Sequence, residues 1–179
     1  RPVGAPVAAA AVAGKQSALA VPAPVAGANA AGKKARGFDA ADVIELARRL
    51  AAEPPRARGA VTPGLEQLNY DQYRDIRFKP AKAVWRTANL PFELQLFHPG
   101  LYYDQPVRIS EVVDGAAREI RFNPEFFDYG KNKIDPQAMR GLGFAGFRVH
   151  FPLNNPKYKD EVLVFQGASY FRALGQGQR

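Results

Sequence analysis

Two short stretches of the chain set aromatic rings beside hydrogen-bonding groups, Tyr102-Tyr103-Asp104 and Tyr170-Phe171-Arg172. A tyrosine ring offers a flat apolar face with a polar tip, and carboxylate and guanidinium groups add directional bonds around it. That combination suits a ligand with apolar C–H faces and a rim of hydroxyls, which is the surface of a sugar ring. Tyr102, Tyr103 and Asp104 fall in a loop between strand-like segments. Tyr170 and Arg172 are two residues apart, so on a strand they share one face. These five are the candidate substrate-binding residues. Trp85, Phe97, Phe126, Phe127, Tyr129 and Phe171 belong to the same aromatic-rich part of the chain, and Phe171 in particular is expected in the core, where such rings usually pack.

Other constellations are weaker. Gly141-Leu142-Gly143-Phe144-Ala145-Gly146 has the spacing of a dinucleotide fingerprint. That motif works only between a strand and a helix N-terminus, and here a strand-like run, Phe147 to Phe151, comes after it. His98 and His150 have no second ligand at metal spacing and are expected to be hydrogen-bonded structural or surface residues. Ser169 lacks the second glycine of a nucleophile elbow. Asp71, Asp75, Asp104, Asp128, Asp160 and Glu161 stand in turns or beside bases, where solvation is their expected role. The chain has no cysteine, which excludes disulfides, thiolate metal sites and cysteine nucleophiles. No catalytic residue, metal site or cofactor is assigned.

The elements that must position the candidates are mostly strands. Asp39 is a good N-cap, and Val43, Leu46, Ala47 and Leu50 recur at helical spacing before Pro54 stops the helix. A short helix is expected around Glu66–Tyr73. From Asp75 onward the alternation has the period of strands: Ile76 to Phe78, Phe92 to Phe97, Val107 to Val113, Glu119 to Phe122, Phe147 to Phe151 and a buried Val162 to Phe165. Asp114-Gly115 marks a tight hairpin turn, and Gly167 a bulge or close backbone approach. One clear helix and many strands predict an all-β assembly, a sandwich with an N-terminal α-helix.

Charge is unevenly placed. Of 25 bases and 17 acids, five bases and no acid lie in residues 1–37, which are Ala-, Gly-, Pro- and Val-rich with no aromatic residue. Such a segment cannot bury enough surface to offset its ordering entropy and is expected to be a disordered leader or signal-peptide remnant, with Ala28-Asn29-Ala30 shaped like a cleavage site. The remaining surplus of three bases is an ordinary solvated surface, so a basic nucleic-acid-binding module is the remote alternative. No run approaches the ~20 apolar residues that span a bilayer, so no stable membrane insertion is expected. Residues 38–179 form the second unit.

Within that unit the residues resemble the periplasmic glucan biosynthesis protein G/D family. The resemblance is carried by Phe92 to Gly100 (FELQLFHPG), Tyr103-Asp104, Pro106-Val107, Phe127-Asp128-Tyr129-Gly130, Leu142 to Val149 (LGFAGFRV), the Pro152-Leu153-Asn154 turn and Asp160-Glu161. Above all it rests on Gly167 to Arg172 (GASYFR) with Gly175-Gln176-Gly177-Gln178, and Phe38-Asp39 with Asp42-Val43 fit the same order. The resemblance, and nothing in composition or spacing, implies the architecture and activity that members share. They have a large galactose-mutarotase-like β-sandwich and a smaller immunoglobulin-like C-terminal domain, so this chain looks like the first part of the sandwich, with an unpaired edge. The family makes or tailors osmoregulated periplasmic glucans with a β-1,2-linked backbone, and some members look like β-1,2-glucanases. The acids for hydrolysis are expected beyond Arg179, so the segment is expected to be inactive alone. A β-glucan partner, contact with inner-membrane glucan-synthesis machinery and a periplasmic location are implied. A non-enzymatic scaffold for glucan assembly or export stays open as the alternative, as does subtype G against D.

Overall fold

The computed structural model describes residues 37–54, 64–65, 67–139, 141–167 and 169–178. The expected leader with its Ala28-Asn29-Ala30 triplet, and most of the expected 54–64 linker, lie outside them. In chain order the elements are α1 (Ala40–Ala52), α2 (Tyr70–Asp75), β1 (Arg77–Phe78), β2 (Glu93–Phe97), β3 (Ser110–Val113), β4 (Ala116–Glu119), β5 (Phe127–Asp128), β6 (Gly146–Phe151), β7 (Asp160–Gln166) and β8 (Tyr170–Ala173). The strands form an antiparallel four-stranded sheet in the order β2-β6-β7-β8 and two ribbons, β1-β5 and β3-β4. The fold is mainly β, as the alternation predicts.

Local chemistry explains the ends of the elements. Asp39 caps α1 in a capping box completed by Asp42, which satisfies two of the amides that a helix start leaves open. The second helix begins later than expected, at Tyr70, because Asn69 and Gln72 form a second capping box there; Glu66 lies outside the described residues. Between β3 and β4, Asp114 and Gly115 both take positive φ, 51° and 75°, the type I′ geometry that matches strand twist. The ladder around that turn is shorter than the sequence pattern: Val107 instead bridges Phe144, and Ile120 continues the ribbon by one bond to the Ile109 carbonyl.

The main core lies over one face of the sheet at β2 and β6. Leu94, Leu96 and Phe147 from the sheet pack with Phe144, Phe127, Phe78, Val107 and Ile109. Leu65, Leu68 and Met139 form a second, smaller cluster. Registered across the sheet, Leu96, Phe147, Phe165 and Phe171 make one row on this apolar face. The row becomes wetter toward the edge. Leu96 is 1% exposed and Phe171 65%, so the expectation that Phe171 sits in the core is corrected. It faces the apolar side and stacks on Phe165 with ring centroids 5.9 Å apart, but no described element covers β8. Of the 162–165 stretch, expected to be buried, Val164 alone is, and it lies on the opposite face in register with Arg148 and Arg172.

Close packing at Gly143 and Gly146 and a positive φ at Gly141 account for the glycine spacing at 141–146. Gly146 opens β6, no helix follows it, and a Cβ there would lie 2.1 Å from the Phe165 carbonyl oxygen. A Cβ on Gly143 would lie 2.5 Å from Cβ of Pro106. Gly141 has nothing within 4 Å and needs glycine only for its φ of +82°.

His98 follows β2 and is 3% exposed. Its Nδ1 lies 2.6 Å from the Pro99 carbonyl oxygen and its Nε2 3.3 Å from the Tyr129 hydroxyl. The rings of Phe122 and Phe127 stand edge-on to it at 5.3 and 4.9 Å. Burial among these groups lowers its pKa to about 4, against the opposing pull of the Pro99 carbonyl. The arrangement suits a neutral imidazole with Nδ1 donating, a structural residue as expected. His150 is half-buried on β6, with Nδ1 3.3 Å from the Lys159 carbonyl.

These contacts set two expectations for stability. Gly146→Ala is expected to cost about 3 kcal/mol or more, since its Cβ meets backbone, whereas Gly141→Ala should cost about 1 kcal/mol. Urea unfolding of both variants checks this, and equal losses would refute the close-approach explanation. For His98, both folded and unfolded imidazoles are neutral above pH 6.5, and below it only the unfolded chain gains the proton until about pH 4. Stability should therefore fall as pH drops through that window, by about 3 kcal/mol in all from this group. His98→Gln should show a flatter acid slope in urea unfolding between those pH values; parallel slopes would exclude His98 as the cause.

Candidate functional site

The face of the sheet opposite the core is polar, and register decides which side chains meet there. Gln95, Arg148, Val164 and Arg172 form one cross-strand row. Phe97, Gly146, Gln166 and Tyr170 form the next. On the other side Glu93 pairs with His150, and His150 with Glu161.

That last pairing depends on an irregularity. Val149 pairs with Leu163 but His150 pairs with Glu161, so Val162 is an extra residue in β7. Strict alternation would put Val162 on the polar face and Glu161 on the apolar one. A single-residue bulge re-aims the side chains beyond it, and here it delivers the Glu161 carboxylate to the polar side.

Glu161 then bridges two guanidinium groups. Its Oε2 lies 3.1 Å from Nη1 of Arg148, and its Oε1 accepts from Nη2 of Arg172. Arg148 donates a second bond through Nη2 to Oε1 of Gln95 at 2.8 Å, and its guanidinium carbon stands 5.6 Å from the Phe97 ring centroid. Gln95 is 6% exposed and Val164 4%, so a dry layer underlies the charged groups. A second bridge lies further along the face: Glu93 accepts from Lys159 at 2.9 Å and from Arg86 at 3.0 Å. Burial pulls the Glu93 carboxyl upward, but the Lys159 bond and charge, with Arg86, outweigh it and hold the pKa below its ordinary value.

The sequence candidates occupy one end of this face and its neighbourhood. Tyr170 and Arg172 share the polar side of β8 and are 49% exposed and half-exposed respectively. Tyr103 is half-buried, with its ring against Gly167, where a Cβ would lie 3.4 Å away. That is ordinary van der Waals contact with a side chain, so what sets Gly167 apart is its positive φ of +61°. Tyr103 also packs on Tyr73, ring centroids 6.4 Å apart, and exchanges backbone bonds with Gly100 at 2.9 and 3.0 Å. The Tyr102 ring stands 82% exposed in the same turn, and Asp104 beside it is half-buried. Tyr103 and Tyr170 are thus brought to the end of the sheet marked by Gln166 and Gly167, whereas Tyr102 points into solvent. Ser169 is exposed, and Ala168 of the same run lies outside the described residues.

Sequence reasoning missed Gln95, Arg148 and Glu161. The alternation Arg148–His150 places Arg148 on the polar face, but nothing local marks Glu161 as its partner. Among the described residues no group of three His, Asp or Glu side chains could hold a metal ion, and no helix is long and apolar enough to cross a membrane.

Comparison with known proteins fixes the family. Residues 38–179 match the family model described as "Periplasmic glucan biosynthesis protein, MdoG". The chain is 59% identical over 145 residues to Glucans biosynthesis protein G of Ralstonia nicotianae, covering 80% of this chain and 29% of that protein. It is 48% identical over 147 residues to the protein of the same name from Rhodopseudomonas palustris, covering 82% and 29%. With the Shewanella frigidimarina protein the figures are 44% over 145 residues, 80% and 26%. The chain spans under a third of the length of each of these relatives. On the extent of these matches, the chain belongs to the periplasmic glucan biosynthesis protein MdoG family.

Proposed function

We propose that the chain takes part in periplasmic glucan biosynthesis by providing the floor of a glucan-binding cleft, the polar face of the four-stranded sheet. The observation that carries this reading is the row of Gln95, Arg148 and Arg172 beside the half-exposed ring of Tyr170. Guanidinium groups present several N–H donors in fixed directions, and hydroxyl oxygens of a sugar are acceptors for them. An amphipathic ring beside those donors covers a sugar C–H face while its hydroxyl stays wet. The two carboxylates on the face, Glu93 and Glu161, each already bond two cationic side chains. The face therefore offers donors and an apolar platform, which is binding chemistry. A β-1,2-linked glucan is the ligand proposed, and the periplasm the location.

Isothermal titration of the chain with β-1,2-glucooligosaccharides tests the reading. Binding is expected, weakened about tenfold by Arg172→Ala and by a similar factor by Tyr170→Ala, the worth of one good polar or stacking contact. Unchanged affinity in both variants would remove this face from consideration as the binding site.

A further inference from the structure

Two guanidinium groups side by side on a sheet are chemically a receptor for an anion, because their forked donors fit carboxylate or phosphate oxygens. On this sheet the receptor is already filled. The Glu161 carboxylate bridges Arg148 and Arg172, one oxygen to each, where a ligand anion would otherwise sit. Its presence there is not a consequence of simple alternation, since the extra residue Val162 is what turns Glu161 to this side.

We propose that Glu161 is a specificity-determining residue, an internal anion that closes the Arg148–Arg172 pair to free anions and keeps its remaining donors for neutral, hydroxyl-bearing ligands. It acts through the two arginines. Phosphate or carboxylate would have to displace a partly buried carboxylate, 24% exposed, that makes charge-assisted bonds to both. A sugar hydroxyl need not, because Arg172 is 56% exposed and contacts Glu161 through one nitrogen. Gln95 takes the other terminal nitrogen of Arg148 and holds that group in place. This deepens the glucan reading of the same face and rests on it for the natural ligand, but its test does not require glucan.

The experiment is a thermal-unfolding titration with inorganic phosphate against sodium chloride of matched ionic strength. The unsubstituted chain should show no phosphate-specific rise in Tm. Glu161→Gln should bind phosphate at least about tenfold more tightly than the parent, one tenfold step being a modest charge-assisted gain. The double variant Glu161→Gln with Arg172→Gln should lose that gain. Phosphate stabilising parent and Glu161→Gln alike would overturn the proposal, as would no effect on Glu161→Gln or a gain that survives loss of Arg172. Phosphate selectivity appearing without any binding of β-1,2-glucooligosaccharide to the parent would uphold the internal-anion role and count against the glucan reading alone.

Discussion

Strand β6 is hydrogen-bonded along both edges, to β2 and to β7, and at its first residue β7 comes so close that no side chain fits. This constraint sets the register of the four-stranded sheet. With Gly146 opposite Phe97 and Gln166, Phe147 and Val149 fall on the side of the core and Arg148 and His150 on the other. A slip of one residue would exchange the two sets, sending a guanidinium into the cluster around Phe144. Hydrophobic burial of Phe147 and the space at Gly146 thus enforce the same register, and the polar face inherits its order from them.

The two faces are finished in different ways. On the apolar side, Phe144, Phe127, Val107 and Ile109 cover β2 and β6, and cover runs out across β7 until Phe171 stands largely in solvent. On the polar side the Glu161 carboxylate bridges Arg148 and Arg172 and offsets one of their two charges above buried Gln95 and Val164. A lone arginine at such a place would be free to wander in many rotamers. One carboxylate shared by two guanidiniums restricts both at once, and the amide of Gln95 fixes the more buried of them.

The features legible in the sequence are local. Asp39 and Asp42 mark the start of α1, Asp114-Gly115 fixes the hairpin turn, and alternation assigns faces on β2 and β6. The capping pair Asn69 and Gln72 is an equally local signal for the start of α2, and a better one than the run from Glu66. Glu161 and Phe171 are not legible, and for one reason. Both depend on relations between strands distant in the chain: whether an extra residue interrupts the pairing of β7 with β6, and whether anything packs over β8. Alternation within a segment carries no information on either. The site is half legible accordingly, with Tyr170 and Arg172 on their shared face and the partners of Arg172 hidden.

The aromatic end of the polar face draws its rigidity from the core. The Tyr73 hydroxyl donates to the His98 carbonyl at 2.8 Å, and burial raises its pKa to about 12, so it stays a donor. The ring of Tyr73 lies over Gly100, where a Cβ would come within 3.2 Å of it, and against Tyr103. Tyr103 in turn covers Gly167 at the end of β7. A chain of contacts therefore runs from the backbone carbonyl of buried His98 to the loop beside Tyr170. A loop held in this way loses little further freedom when a ligand settles on it, and a preordered surface keeps more of its contact energy as affinity. The neutral state of His98 belongs to the same chain, since charging that ring would set a cation among Phe122, Phe127 and Tyr129 at the base of the support.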